Sequence, residues 1–204
     1  MGMRSLNSTR ASGGRLTRVC AWLALCLASS TVAATSVPRH VDGDLRNLLI
    51  RAVNEQRSFS DRYDAEVWLL DMSSRLASRV PDPAERIELL RTVHEEAMRV
   101  NLPAELVLAV IEVESDFDPW AVSRAGAQGL MQIMPFWLKE IGDDEDSLQD
   151  PRTNLRLGCT ILRYYVDKEG GDLGQALARY NGRAGSREYP DRVFKALRTR
   201  WYRR

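Results

Sequence analysis

The sequence predicts a mainly α-helical protein, on three observations. Apolar residues recur at spacings of three and four along most of the chain. Prolines punctuate these runs near their starts. Alternating apolar and polar residues, the mark of half-buried strands, are almost absent. The 204 residues are 44% hydrophobic and 28% charged, enough to bury a substantial core.

At the N-terminus, Arg4, Arg10, Arg15 and Arg18 precede an apolar run from Val19 to Leu27, and residues 1–41 contain no Asp or Glu. That run is well short of the ~20 residues needed to cross a bilayer. Val32-Ala33-Ala34 fits a small-x-small cleavage rule, so residues 1–34 read as a secretory signal peptide and the mature protein as periplasmic. An uncleaved anchor is the alternative. Val19 and Leu25 stand where a lipoprotein box has a small residue before Cys20 or Cys26. Cleavage after Ala34 leaves 25 basic against 28 acidic residues, a net charge of −3, which gives no general pull toward nucleic acid or anionic membrane.

Leu45, Leu48, Leu49, Ala52 and Val53 form a first apolar stripe, and Leu69, Met72, Leu76 and Val80 a second. Pro81 and Pro83 interrupt the pattern, and Pro83 suits the first turn of a helix carrying Leu90, Val93, Ala97 and Val100. Pro103 opens a helix that runs to about Ser115. A loop follows from Asp116 to Gly129, then a short helix over Pro135 to Ile141. The acidic stretch Gly142 to Ser147 reads as a solvated loop, and further helices are expected near 151–168, 172–181 and 190–201. Residues 35–83 read as an accessory helical segment and 84–204 as the catalytic unit. Arginines 198, 200, 203 and 204 read as part of a solvated terminal helix, with contact to anionic wall polymer as the rival reading.

Of three cysteines only Cys159 lies beyond the leader, so the mature fold must stand without an internal disulfide. Cys159 aligns with Leu155, Leu162 and Val166 and reads as a core thiol. His40 lies near the new N-terminus and His94 borders an apolar face, so neither has a clear claim as its catalytic partner. No His-Glu-x-x-His, Cys-x-x-Cys or glycine-rich phosphate loop suggests a metal or nucleotide.

Three segments carry candidate chemistry. In the helix from Pro103, Val107, Val110 and Ile111 define the apolar stripe, and the next stripe position is Glu114. Glu105 and Glu112 share a different face and look solvated; Glu112 points roughly 160° from Glu114 at about 100° per residue. A carboxylate aimed inward costs stability unless it is paired or protonated, and burial raises its pKa toward a general acid's range. The alternative is a frayed helix end with Glu114 in water. The second segment runs from Ser123 to Pro135. Gly126 and Gly129 let backbone approach a ligand, Gln132 offers an amide suited to sugar groups, and Met131 and Met134 offer soft apolar surface. An ordinary loop would serve equally well. In the third segment Leu173, Leu177 and Tyr180 share a face, with Asn181-Gly182 as a helix stop. Tyr180 on its own reads as a core tyrosine.

Together these segments resemble the catalytic domain of the soluble lytic transglycosylases, in the lysozyme-like superfamily and glycoside hydrolase family 23. The resemblance rests on Glu114-Ser115-Asp116-Phe117-Asp118-Pro119, Val122-Ser123, Gly129-Leu130-Met131-Gln132, Asn154-Leu155-Arg156-Leu157-Gly158 and Ala178-Arg179-Tyr180-Asn181. It covers about residues 84–201 in the family's order and spacing. One departure is clear: the family usually continues Tyr-Asn-Ala-Gly-Pro, whereas this chain has Tyr180-Asn181-Gly182-Arg183-Ala184.

The resemblance implies a lysozyme-like helical fold and cleavage of the β-1,4 bond between N-acetylmuramic acid and N-acetylglucosamine in peptidoglycan. Glu114 would be the single catalytic acid and base, and a 1,6-anhydro ring would form without added water. Ser123, Gln132, Met134, Tyr180 and Asn181 would bind substrate, with Tyr180 hydrogen-bonded near Glu114. No metal or organic cofactor is implied. The partner is the glycan strand, with a cell-wall or secretion-machinery protein as an open addition, and the chain is expected to be a monomer. Two alternatives stand: a hydrolytic muramidase using Asp116 or Asp118 as second carboxylate, and an inactive peptidoglycan-binding or secretion-associated scaffold.

Overall fold

The computed structural model describes residues 62–141 and 147–202, with the backbone alone for 62–66. The expected leader, the stripe from Leu45 to Val53, His40, the acidic loop at 142–146 and the last two arginines lie outside the described residues. The fold is mainly α-helical, and among the described residues extended pairing is limited to two isolated bridges, Val122 with Gln128 and Gln128 with Ile133. No helix among those residues is long and apolar enough to cross a membrane.

Helix α1 spans Arg62–Leu76 and buries Trp68, Leu69, Met72 and Leu76; Val80 is buried just beyond it. Arg86 pins the following turn by donating to Ser73 Oγ (3.0 Å) and Val80 O (2.6 Å). Asp82 then caps α2, Pro83–Arg99, accepting from Glu85 N at 2.8 Å, with proline in the first turn where the missing N–H costs nothing. His94 packs against Trp68 with the rings tilted by 59° and their centroids 5.0 Å apart, and burial lowers its pKa.

Helix α3, Ala104–Ser115, is the central element. The sequence marks one apolar stripe, yet every residue from Leu106 to Ile111 is buried, because α3 has neighbours on several sides. Its flanking glutamates are not the solvated pair the sequence suggests. Glu105 accepts from Trp68 Nε1 at 3.0 Å. Glu112 accepts from Trp201 Nε1 (2.7 Å) and pairs with Arg79 (3.4 Å) and Arg200 (3.0 Å). Both partners of these indoles are distant in sequence, which is why helical phase alone misplaces the two carboxylates. Glu112→Ala is expected to cost about 2–3 kcal/mol in urea unfolding, since it strands a buried indole N–H and takes the carboxylate from Arg200, while Arg79 keeps Asp116.

Three further helices follow: α4, Phe136–Ile141; α5, Pro151–Lys168; and α6, Leu173–Tyr180. Asp150 and Asp172 cap α5 and α6 through Thr153 N (2.8 Å) and Gln175 N (3.0 Å). Helix α7, Glu188–Ala196, then widens into a π-turn, Leu197–Trp201, so the expected single helix at 190–201 starts earlier and changes its winding. Arg75 receives the end of that turn by donating to Arg200 O at 2.6 Å, and Trp201 is fully buried.

Helix α5 packs on α2 and α6, and α3 packs on α2 and α7. Between α2 and α5 the carboxylate of Glu96 is 1% exposed and paired with Arg99 (2.7 Å) and Arg156 (3.0 Å). Arg99 also donates to Thr160 Oγ1 at 2.7 Å. Cys159 on this face is fully buried and its thiol is pushed far up by burial, which makes it inert as a nucleophile.

Candidate active site

The C-terminal end of α3 is held rather than frayed. Ser115 Oγ donates to Ile111 O (3.2 Å) and Leu130 O (2.8 Å), joining the helix to the following loop. Asp116 and Phe117 both have left-handed backbone, φ 49° and 70°, unusual for residues with a Cβ. That reversal buries Phe117 against Trp201, centroids 5.5 Å apart. Asp116 turns out to Arg79, and Asp118 accepts from Trp120 N at 2.9 Å.

The loop closes on itself. Ser123 N donates to Ala127 O (2.9 Å), and Ser123 Oγ accepts from Ala127 N (3.0 Å), with Gly126 at φ 87° between them. Gln132, at φ 52°, spends its amide nitrogen on Ala121 O (3.1 Å) and Gly129 O (2.9 Å), and among the described residues no donor reaches its amide oxygen.

Helix α5 supplies the foundation. Asn154, with no exposed surface, accepts from Met131 N (2.8 Å) and donates to Gln128 O and Leu148 O (2.8 Å each). A Cβ on Gly129 would overlap Asn154 Nδ2 and Leu148 O; one on Gly158 would overlap the Met131 sulfur. The two short motifs around Gly129 and Asn154 are therefore one packed unit, with α5 lying directly under the loop.

These elements surround a cavity of about 290 Å³. Glu114, Ser123, Gln132, Met134, Tyr180 and Asn181 all line it, with Phe136, Trp137, Ile161 and Tyr165 forming an apolar wall. Glu114 is pushed up to about 7, chiefly by burial, while a hydrogen bond from Tyr189 and the charge of Arg192 pull the other way. Among the described residues Glu114 is the only Asp or Glu lining this cavity.

Tyr180 does not make the bond to Glu114. Its hydroxyl donates to Met131 O at 2.8 Å, and Tyr189 donates to Glu114 Oε1 at 2.7 Å. Burial and the nearby Glu114 charge push both phenols up, so each remains a donor at neutral pH. Sequence reasoning missed Tyr189, because with Val193 and Ala196 it falls on the buried face of α7 and looks like core. Tyr189→Phe removes a donor that favours the ionised carboxylate, so the carboxyl of Glu114 should titrate at higher pH. The shift is measurable by carbon NMR of labelled glutamate; an unchanged titration would show that the bond is idle in solution.

An acid held near neutrality in a cavity lined by apolar side chains and by the amides of Gln132 and Asn181 is suited to general acid chemistry. A family model described as the Transglycosylase SLT domain matches residues 91–197, and the chain belongs to that family. It is 34% identical over 113 residues to a transglycosylase of Enterobacteria phage PRD1, covering 52% of this chain and 42% of that protein. It is 35% identical over 113 residues to membrane-bound lytic murein transglycosylase C of Yersinia pestis, covering 48% of this chain and 32% of that protein. The chain thus spans less than half the length of these curated relatives. Among solved structures, the 70 kDa soluble lytic transglycosylase of Escherichia coli aligns with TM-score 0.40 and 24% identity, over 79% of this chain and 31% of that one.

Proposed function

We propose that the protein is a peptidoglycan lytic transglycosylase that cuts the β-1,4 bond between N-acetylmuramic acid and N-acetylglucosamine. The observation that carries this reading is the carboxyl of Glu114, raised to about 7 and the one carboxyl among the described residues that line the sugar-sized cavity. Hydrolysis at a glycosidic bond ordinarily takes two carboxyl groups, whereas substrate-assisted cleavage takes one. Asp116 and Asp118, the candidates for a second, are engaged with Arg79 and Trp120 N and do not line the cavity.

In this mechanism protonated Glu114 gives its proton to the leaving glycosidic oxygen. The carboxylate left behind accepts the Tyr189 hydrogen bond, which stabilises it just as charge develops. The substrate's own N-acetyl oxygen relieves the positive charge at C1. Glu114 then takes the proton of the C6 hydroxyl on the same sugar, and that oxygen attacks C1 to close the 1,6-anhydro ring. Intramolecular attack has a high effective concentration, so no positioned water is needed. Ser123, the free amide oxygen of Gln132, and Asn181 orient the acetamido and hydroxyl groups, while Met134 lines the groove and Tyr180 braces the Met131 carbonyl beneath it.

The relatives named above support this activity, and their cell-wall chemistry supports an envelope location. We extend the proposal to residues 1–34 as a signal peptide directing the chain to the periplasm, 35–83 as an accessory segment and 84–204 as the catalytic unit. The test is release of soluble muropeptides from purified sacculi as a function of pH. Because the first step needs the protonated carboxyl, kcat/KM should fall as pH rises through about 7. Rates that rise steadily from pH 5 to pH 9 would overturn the assignment of Glu114 as the proton donor.

A further inference from the structure

A second cavity, about 300 Å³, lies beside the first and shares Asn181 with it. Its other lining residues are Arg183, Glu188, Tyr189 and Arg192. None of the catalytic steps above uses this space, although Tyr189 and Asn181 connect it directly to Glu114 and the sugar cavity.

The chain builds this notch deliberately. Asn181 caps α6, Gly182 takes φ 74°, and the backbone N–H groups of Gly182 and Arg183 donate to Arg179 O and Ala178 O, both at 2.9 Å. This Schellman-type ending fixes the path of Arg183 out of the helix. Ser186 N then donates to Arg183 O at 3.0 Å, which closes the turn before α7 begins. Arg192, one turn into α7, donates one nitrogen to Val113 O at 3.2 Å. Among the described residues the one acidic side chain on the lining is Glu188, 3.4 Å from Arg183, in a pair exposed to solvent on both sides. Such a pair contributes little and exchanges readily for a better acceptor. With Glu114, which feels the charge of Arg192, protonated, two guanidinium groups against one carboxylate leave the notch with an excess of one positive charge.

Resting on the transglycosylase reading of the main cavity, we infer that the Arg183–Arg192 notch is a subsite for a carboxylate carried on the muramyl side chain of the substrate. The glycan backbone itself is uncharged. Carboxylates occur on it only at the lactyl group of muramic acid, when that group is free, or on the stem peptide attached there. A strand seated against Glu114 with its muramyl side chain toward Asn181 presents that carboxylate to two guanidinium groups, whose planar forks suit a two-point hydrogen bond. The notch thereby distinguishes muramyl strands from uncharged N-acetylglucosamine polymers.

The test is calorimetric binding to the full chain carrying Glu114→Gln, so that nothing is cleaved. Three tetrasaccharide ligands are compared: an N-acetylglucosamine oligomer, an alternating muramyl oligomer with free lactyl carboxylates, and the same oligomer bearing stem peptides. At least one carboxylate-bearing ligand should bind about tenfold tighter than the uncharged oligomer, and which one does so identifies the source of the carboxylate. Adding Arg183→Gln should erase most of that tenfold preference, and Arg183→Lys should restore part of it. Equal binding of all three ligands, or a preference that survives Arg183→Gln, overturns the subsite while leaving the main cavity's assignment intact. Failure of all three to bind overturns the saccharide reading and the subsite with it.

Discussion

Glu114→Gln is expected to abolish glycan cleavage and, above pH 7, to make the protein more stable. Glutamine keeps the shape and can still accept the Tyr189 hydrogen bond, but it neither donates nor removes the proton in either step. Loss of a general acid–base group lowers rates by about 10²–10⁴-fold, and here one group serves both steps, so the upper end of that range applies. The stability effect has a definite sign. Buried Glu114 holds its proton up to about 7 in the folded protein, against 4.5 ordinarily. Between those values the folded state binds more protons than the unfolded chain, so stability falls as pH rises through that window. The cost at pH 8 is about 3 kcal/mol, and an uncharged glutamine escapes it. Urea unfolding should therefore separate the two proteins at pH 8 and bring them together at pH 4. Parallel curves at both values would mean that Glu114 is solvated and ordinary.

Asn154→Ala should be the most damaging single change outside the catalytic group. It removes three hydrogen bonds and leaves Met131 N–H and Leu148 O without partners, while Gln128 O keeps the bond from Ile133 N. An unpaired buried group costs about 1–3 kcal/mol, so a loss of about 3–5 kcal/mol is expected after partial relaxation. Activity should fall further than stability explains, because the loop that Asn154 supports carries Ser123 and Gln132. Asn154→Asp separates the contributions: it can still accept from Met131 N but cannot donate to the two carbonyls. Wild-type unfolding midpoints for both variants would show that the loop holds itself.

The local grammar of this chain was readable, and its long-range pairing was not. Pro83 announces a helix start through chemistry confined to one turn, and the structure begins α2 there. The inward aim of Glu114 followed from helical phase relative to Val107, Val110 and Ile111. Phase fails for Glu105 and Glu112, because the indoles that draw them in lie 37 and 89 positions away. The same limit hid Tyr189, 75 positions from Glu114. Tyr180 closes a recognisable motif and lies near Glu114, where its hydroxyl braces the loop at Met131 O and leaves the direct bond to Tyr189. The family motifs mark the lining of the cavity, and packing explains the spacing of Asn154 and Gly158: one clamps the loop and the other makes room for Met131.

The most direct measurement is mass spectrometry of the soluble products from purified sacculi digested in heavy-oxygen water. A lytic transglycosylase working through Glu114 gives muropeptides lighter by one water than the hydrolytic products, with 1,6-anhydro ends and no heavy oxygen, and gives none when Glu114→Gln is used. Reducing ends that carry heavy oxygen would contradict the proposal and make the enzyme a hydrolase with a second catalytic group outside the cavity described here.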